Sequence, residues 1–305
     1  MNLKNMNPTP LIIRTMTITC KTSHQLNYAK VSTKLPLSKK ILNLEYKGKD
    51  GNIHTRGIKK KKSKRLFFNQ MTIEVIVDTT NNKIVNCKIF SNGVIHMTGC
   101  RSKMDAIDAS LIIVDNIKSI KGYLVKNKND CIQICNFKIH LINSNYKIGN
   151  NKNIDRYILY NTFTAKCPFK IHFNPGHYPG VKIHYKYYKD PNVYNWNSMN
   201  TENWLKDIGC SVCIPIFFKF NINGKKLIML SHKKLINMGI DNTEIRHKII
   251  KAIHDNSFIK IITIIVFRTG QIIITGGQTI PQLNSAYKFI NEFIDNNYKN
   301  IVIES

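Results

Sequence analysis

Apolar and polar residues alternate with period two in a series of short runs, and two of these runs share a longer motif. Residues 89–100 read IFSNGVIHMTGC and residues 266–277 read VFRTGQIIITGG. Phe90/Phe267, Gly93/Gly270, Ile95/Ile272, Thr98/Thr275 and Gly99/Gly276 are identical. Each copy follows a β-branched run (84–89 and 259–266) that predicts a strand, and the first shared glycine fits a turn into the next strand. Each copy also precedes an amphipathic helix. Met104, Ile107, Leu111 and Val114 form the apolar series of the first, and Leu283, Ala286/Tyr287, Ile290 and Phe293/Ile294 that of the second. Pro281 is acceptable in a first helical turn. A strand–turn–strand–helix unit thus occurs twice, and matching flanks at both ends argue for duplication.

The segments upstream agree. Alternation predicts opening strands at 11–20 (LIIRTMTITC) and 131–140 (CIQICNFKIH), then short helices at 35–44 and 153–163, then strands at 65–77 and 177–187. The first half also holds a hairpin closed around Asp78–Asn82. The halves are 1–122 and 123–305, the second lengthened by an insertion near 188–257 that is rich in Asn and Lys and carries Trp196 and Trp204. Within the repeated hairpins, Val94, His96 and Thr98 share one face, as do Gln271, Ile273 and Thr275. The predicted helices cover only the other face. The exposed one meets a partner or packs in a sandwich core.

Charge narrows the partner. The chain has 46 Lys+Arg against 18 Asp+Glu, a formal net charge of +28, which favours nucleic acid or an anionic membrane surface. Over-use of Ile, Asn and Lys, as in AT-rich genomes, accounts for part of this. The hydrophobic fraction of 43% is ample for a core. No run of about 18 apolar residues predicts a transmembrane helix, and the N-terminal residues lack a signal-peptide core. Without a secretion signal, the eight cysteines read as reduced thiols.

The chemistry-bearing features are few. The run Lys59, Lys60, Lys61, Lys62, Ser63, Lys64, Arg65 is a solvated loop, a nuclear localisation signal or a phosphate-contacting segment. His96 has no local carboxylate or second histidine at metal spacing, and reads as a surface or partner-facing residue. Cys210 and Cys213 have zinc-knuckle spacing without a second close pair, a weak metal signal. No phosphate-binding loop, dinucleotide fingerprint, nucleophile elbow or zinc-hydrolase motif is present, so no enzyme and no cofactor is expected.

Duplicated halves, F-x-x-G-x-I-x-x-T-G hairpins and a basic chain together resemble the TATA-box-binding protein family, in particular the divergent TATA-binding-protein-like factors of nucleocytoplasmic large DNA viruses. FNPGHYPGVKIHYK (173–186) and the segment 267–294 carry the resemblance most specifically, and the insertion lies outside it. The resemblance implies an α+β saddle: two pseudo-symmetric repeats forming one curved antiparallel sheet, with helices on the convex face. It implies duplex binding in the minor groove, with Phe68, Phe90, Tyr178 and Phe267 as wedges between base steps, the behaviour the family is known for. Ile13, His96, Thr98, Ile132, Ile273 and Thr275 would face the groove, and the 59–65 lysines and Arg65 would contact phosphate.

Two departures follow from the same alignment. Leu11 and Asp130 fall where the family has paired asparagines at the centre of the site. Pro175, Gly176 and His177 replace the acidic residues that engage TFIIB. The expected partners are AT-rich duplex DNA, a TFIIB-like factor and RNA polymerase, for a monomer working in a viral factory or host nucleus. Other readings are a sheet-based RNA or single-strand binder, an enzyme's accessory lobe, and an interaction module without DNA binding.

Overall fold

The computed structural model describes residues 3–58, 66–126, 131–188, 191–255 and 259–304. The first half runs β1 (Ile12–Thr22), α1 (Tyr28–Lys34), β2 (Ile41–Lys47), β3 (Ile53–Gly57), β4 (Gln70–Asp78), β5 (Lys83–Phe90), β6 (Val94–Cys100), α2 (Lys103–Lys118). The second opens β7 (Ile134–Lys147), β8 (Lys152–Ile154), α3 (Arg156–Lys166), β9 (Lys170–His172), β10 (Val181–Tyr188). Helices α4 (Ser198–Asp207), α5 (Ile214–Lys219), α6 (Gly224–Leu227), α7 (His232–Asn237) and α8 (Thr243–Asp255) follow. The chain then closes through β11 (Ile259–Val266), β12 (Gln271–Gly277), α9 (Ile280–Asn296), α10 (Tyr298–Ile301) and β13 (Val302–Glu304).

The class is α+β, and the described strand pairings are antiparallel. By compactness the chain divides into two units. One comprises Met6–Asn151 with Gly270–Asn284, and the other Met1–Asn5, Lys152–Thr269 and Ser285–Ser305. The first unit holds the strand order β3-β2-β4-β5-β6-β1-β7-β12 and the second β11-β10-β9. Within the second unit β13 also pairs with β8. The pairings β2–β4, β4–β5 and β6–β1 are repeated by β9–β10, β10–β11 and β12–β7, while among the described residues of the second half β3 has no counterpart.

The repeated glycines explain the repeated motif. Gly93 and Gly270, at the turns, have φ of 86° and 71°, and Gly99 and Gly276, in the bulged Thr-Gly steps, have 88° and 96°. Only glycine adopts these angles without strain. A Cβ at Gly93 would in addition collide with the hydroxyl of buried Thr22 and lie 2.9 Å from the His24 carbonyl oxygen. Gly93→Ala should therefore cost about 2–4 kcal/mol, combining left-handed strain with overpacking. Urea denaturation checks this, and an unchanged midpoint would show that the turn relaxes.

The core of the first unit lies on one side of its strands, where Ile18, Ile73, Val85, Cys87, Ile95 and Met97 are fully buried. Helix α2 covers them with a face rotated from the one its apolar series predicts. Of that series Val114 is buried and Ile107 partly so, but Met104 and Leu111 are exposed, and Ala106, Ala109, Ile113 and Ile117 complete the buried face. The rotation is set at the N-terminus. Ser102 and Asp105 form a capping box, and Asp105 also pairs with Lys83 of β5 at 2.5 Å. Burial would raise the Asp105 carboxyl, but Lys83, the Arg101 amide and Ser102 outweigh it and hold it below the usual range. Small alanines then let the helix lie close to the sheet. Helix α9 buries the series expected of it: Leu283, Ala286, Ile290, Phe293 and Ile294.

The helix expected at 35–44 is not formed. That segment turns through Ser38 into β2, and the helix lies earlier, at α1, whose N-cap Asn27 accepts from the Lys30 amide. Cross-strand pairing of Leu44 with Ile73 and of Tyr46 with Met71 overrides the local pattern. The helix expected at 153–163 is α3, capped by Asp155, and the Asp78–Asn82 hairpin is present.

Candidate nucleic-acid interface

Strands β6, β1, β7 and β12 lie side by side in one unit, and their alternation separates two faces. Ile95, Met97, Ile272 and Ile274 are fully buried, whereas Val94, His96, Thr98, Gln271, Ile273 and Thr275 are partly exposed. The exposed side is polar but carries no negative charge. Strands β1, β6, β7 and β12 contain Arg14, Lys21, Lys138 and Lys147 and no Asp or Glu, whereas on the outer strand β4 Glu74 shares a face with Asn86 and Thr98.

Register corrects the alignment of the opening strands. Met16 pairs with Cys100 as Ile142 pairs with Gly277, and Thr19 pairs with His96 as Asn145 pairs with Ile273. Met16 therefore corresponds to Ile142 and Thr19 to Asn145. On this register Leu11 corresponds to Phe137, not Asp130, which lies outside the described residues. Ile13 corresponds to Ile139.

Bulges make two further corrections. The β1–β7 register slips at Arg14, so Ile13 pairs with buried Ser144 and lies on the covered side, while Ile12, opposite Asn145, is exposed. A residue inserted into one strand moves its neighbours to the other face. Ile132 precedes β7 and is 3% exposed, so it does not face outwards. The alternation of 11–20 and 131–140 contains no trace of these slips.

The bulged residues themselves were missed by sequence. Arg14 donates from Nε to Asn145 Oδ1 at 2.6 Å, and its counterpart His140 bonds through Nε2 to Thr19 Oγ1 at 2.7 Å. Thr275 donates to Asn143, whose amide donates to Thr15 at 3.0 Å. The corresponding positions in the other half are Thr98, Thr17 and Leu141, so the two halves present different chemistry. His96 titrates below its ordinary value, chiefly through partial burial, then through Lys88 and His140.

The aromatics divide by unit. Phe68 is 63% exposed in the turn before β4, with the Lys47 ammonium 3.8 Å from its ring centre. Phe90 ends β5 opposite Gln70 and is partly exposed. In the other unit Tyr178 and Phe267 meet, ring centres 6.1 Å apart, and Lys182 caps the Tyr178 ring at 4.2 Å. Across from them, Lys182 pairs with His172 and His184 with Lys170, on the side away from buried Val181 and Ile183. Burial, then Lys170, His172 and Lys182, hold the His184 imidazole below its ordinary value. The lysines of 59–65 and Arg65 lie outside the described residues.

Cys210 and Cys213 are core thiols. Both are buried among Trp204, Leu205, Phe217 and Ile249, and burial pushes both thiols up, away from the thiolate that zinc requires. Among the described residues no group of three His, Cys, Asp or Glu is placed to hold a metal, and no helix is long and apolar enough to cross a membrane. The insertion is thus a helical module with its own core. Its helix starts were legible in Asn197, Asn223 and Ser231, each of which accepts an amide three residues on.

Residues 193–257 match the SAM domain (Sterile alpha motif) family. Over 98% of its length the chain is 26% identical to a "TATA-box-binding protein-like" protein of Acanthamoeba polyphaga mimivirus, of which it covers 69%. Among solved structures it is similar to Methanococcus jannaschii TBP, at 14% identity and a TM-score of 0.49, covering 94% of this chain and 99% of that one. The similarity to the mimivirus protein thus includes both repeated hairpins.

Proposed function

We propose that this TATA-box-binding-protein-like chain binds duplex DNA in the minor groove through the exposed side of its strands and bends it, acting in transcription initiation without catalysis. The observation that carries this reading is the exposed side of β6, β1, β7 and β12, where Thr, Asn, Ile and His sit with Lys and Arg and no acidic residue. Threonine hydroxyls and the Asn143 amide offer donors to minor-groove acceptors, and the lysines neutralise phosphate. Binding of a short AT-rich duplex, compared with single-stranded DNA and RNA across a salt series, tests it. Duplex preference is expected, with log K falling by about 0.9 per decade of salt for each phosphate neutralised. Equal or better binding of single strands would favour a stacking surface instead.

The depressed histidines add a pH signature. In the free protein His96 and His184 titrate below the ordinary 6.5. The unfolded chain then binds more protons than the folded one as pH falls through that value, so stability drops on acidification. A polyanion raises both imidazoles, so binding takes up protons and tightens as pH falls toward 6. Calorimetry in two buffers of different ionisation enthalpy measures the uptake, which His96→Gln with His184→Gln should abolish. Uptake that persists in that variant places the protons elsewhere.

A further inference from the structure

Independently of the DNA reading, the helical module carries a groove that the repeats do not explain. It encloses about 500 Å³. Its floor is Ile222 and Leu230, both buried, and its walls include Phe220, 39% exposed, and Met229, 55% exposed. Lys225, Lys226 and Lys234 line its edge. Two of these are held in place, Lys226 Nζ donating to the Phe220 carbonyl and Lys234 Nζ to the Met229 carbonyl, each at 3.0 Å. From Ile208 to Ile240 the chain has five lysines and no Asp or Glu.

We propose that this groove binds an acidic amphipathic peptide segment of a partner protein. Its apolar side chains would seat against Met229 and Met238, and its carboxylates would meet Lys225, Lys226 and Lys234. Methionine-lined grooves adapt to helical ligands that present anchors at three- and four-residue spacing. A nucleic acid would satisfy the lysines but leave the apolar walls unmatched. A second copy of this chain, with 46 Lys+Arg against 18 Asp+Glu overall, would bring the wrong charge to a basic rim.

The test uses the full chain and a fluorescein-labelled peptide with Leu and Phe on one helical face and Glu elsewhere, compared with a scrambled peptide of the same composition. Saturable anisotropy is expected for the amphipathic peptide, with Kd raised at least about tenfold by scrambling or by Met229→Glu. Lys225→Glu with Lys226→Glu should weaken binding similarly. Met229 is exposed, so its variant is expected to keep the wild-type thermal midpoint. Equal binding of the scrambled peptide, or of the amphipathic peptide by folded Met229→Glu, overturns the proposal. So does displacement of the peptide by duplex DNA, or a dimer in sedimentation that Met229→Glu abolishes.

Discussion

Glutamate at both 96 and 273 should abolish duplex binding while leaving the protein folded. His96 and Ile273 are partly exposed and occupy corresponding places, opposite Thr19 and Asn145. Neither lies in the buried core, so the thermal midpoint should change little. On binding, each new carboxylate would meet base-edge acceptors and phosphates, and the one at 96 would also draw on Lys88, the cross-strand neighbour otherwise free to neutralise phosphate. Such like-charge contacts cost several kcal/mol, and about 2 kcal/mol at each position already weakens binding several hundredfold. Titration of a labelled AT-rich duplex measures the loss. Wild-type affinity in the folded double variant would remove this side of the strands from the interface.

Phe90→Ala with Phe267→Ala should act on geometry more than on charge. Both side chains are partly exposed at corresponding places in the repeats, and Phe267 packs near Tyr178. As wedges they would unstack a base step each, a cost of a few kcal/mol offset by the surface that bending buries. Their loss should lower the FRET efficiency between dyes at the ends of an AT-rich duplex and weaken binding by about 2 kcal/mol or more. The slope of affinity against salt should stay nearly unchanged, because no lysine is lost. Unchanged FRET at full affinity would mean that these rings do not kink the duplex.

The repeats were legible because glycine leaves a mark that side-chain chemistry cannot blur. Gly93, Gly99, Gly270 and Gly276 all have left-handed backbones, so the same letters had to recur wherever the same turn and bulge recur. The exposed faces of β6 and β12 followed from strict alternation next to those glycines. Helix α9 was legible for a similar reason, since its apolar residues exceed what one exposed face tolerates. The helical module at 193–257 was not read as such, because its short helices are announced by caps and not by long periodic stripes.

The first strands show where the letters stop. LIIRTMTITC alternates as if regular, but the extra residue Arg14 puts Ile13 on the covered side and Ile12 outside. The symmetric slip at His140 does the same in β7. Helix α2 offers a plausible apolar stripe, of which Val114 is buried, yet with Asp105 paired to Lys83 the buried face is shifted to Ala106, Ala109, Ile113 and Ile117. Segment 35–44 has the composition of either element and becomes strand β2 because β4 pairs with it.

By itself, then, the sequence determined the duplication, the positive-φ turns and the basic character, all properties of single residues or of local spacing. Strand register, the rotation of α2 and the meeting of Arg14 with Asn145 and of Thr275 with Asn143 were decided only in the tertiary structure. Each depends on a partner far along the chain, and one inserted residue is enough to exchange the two faces of a strand.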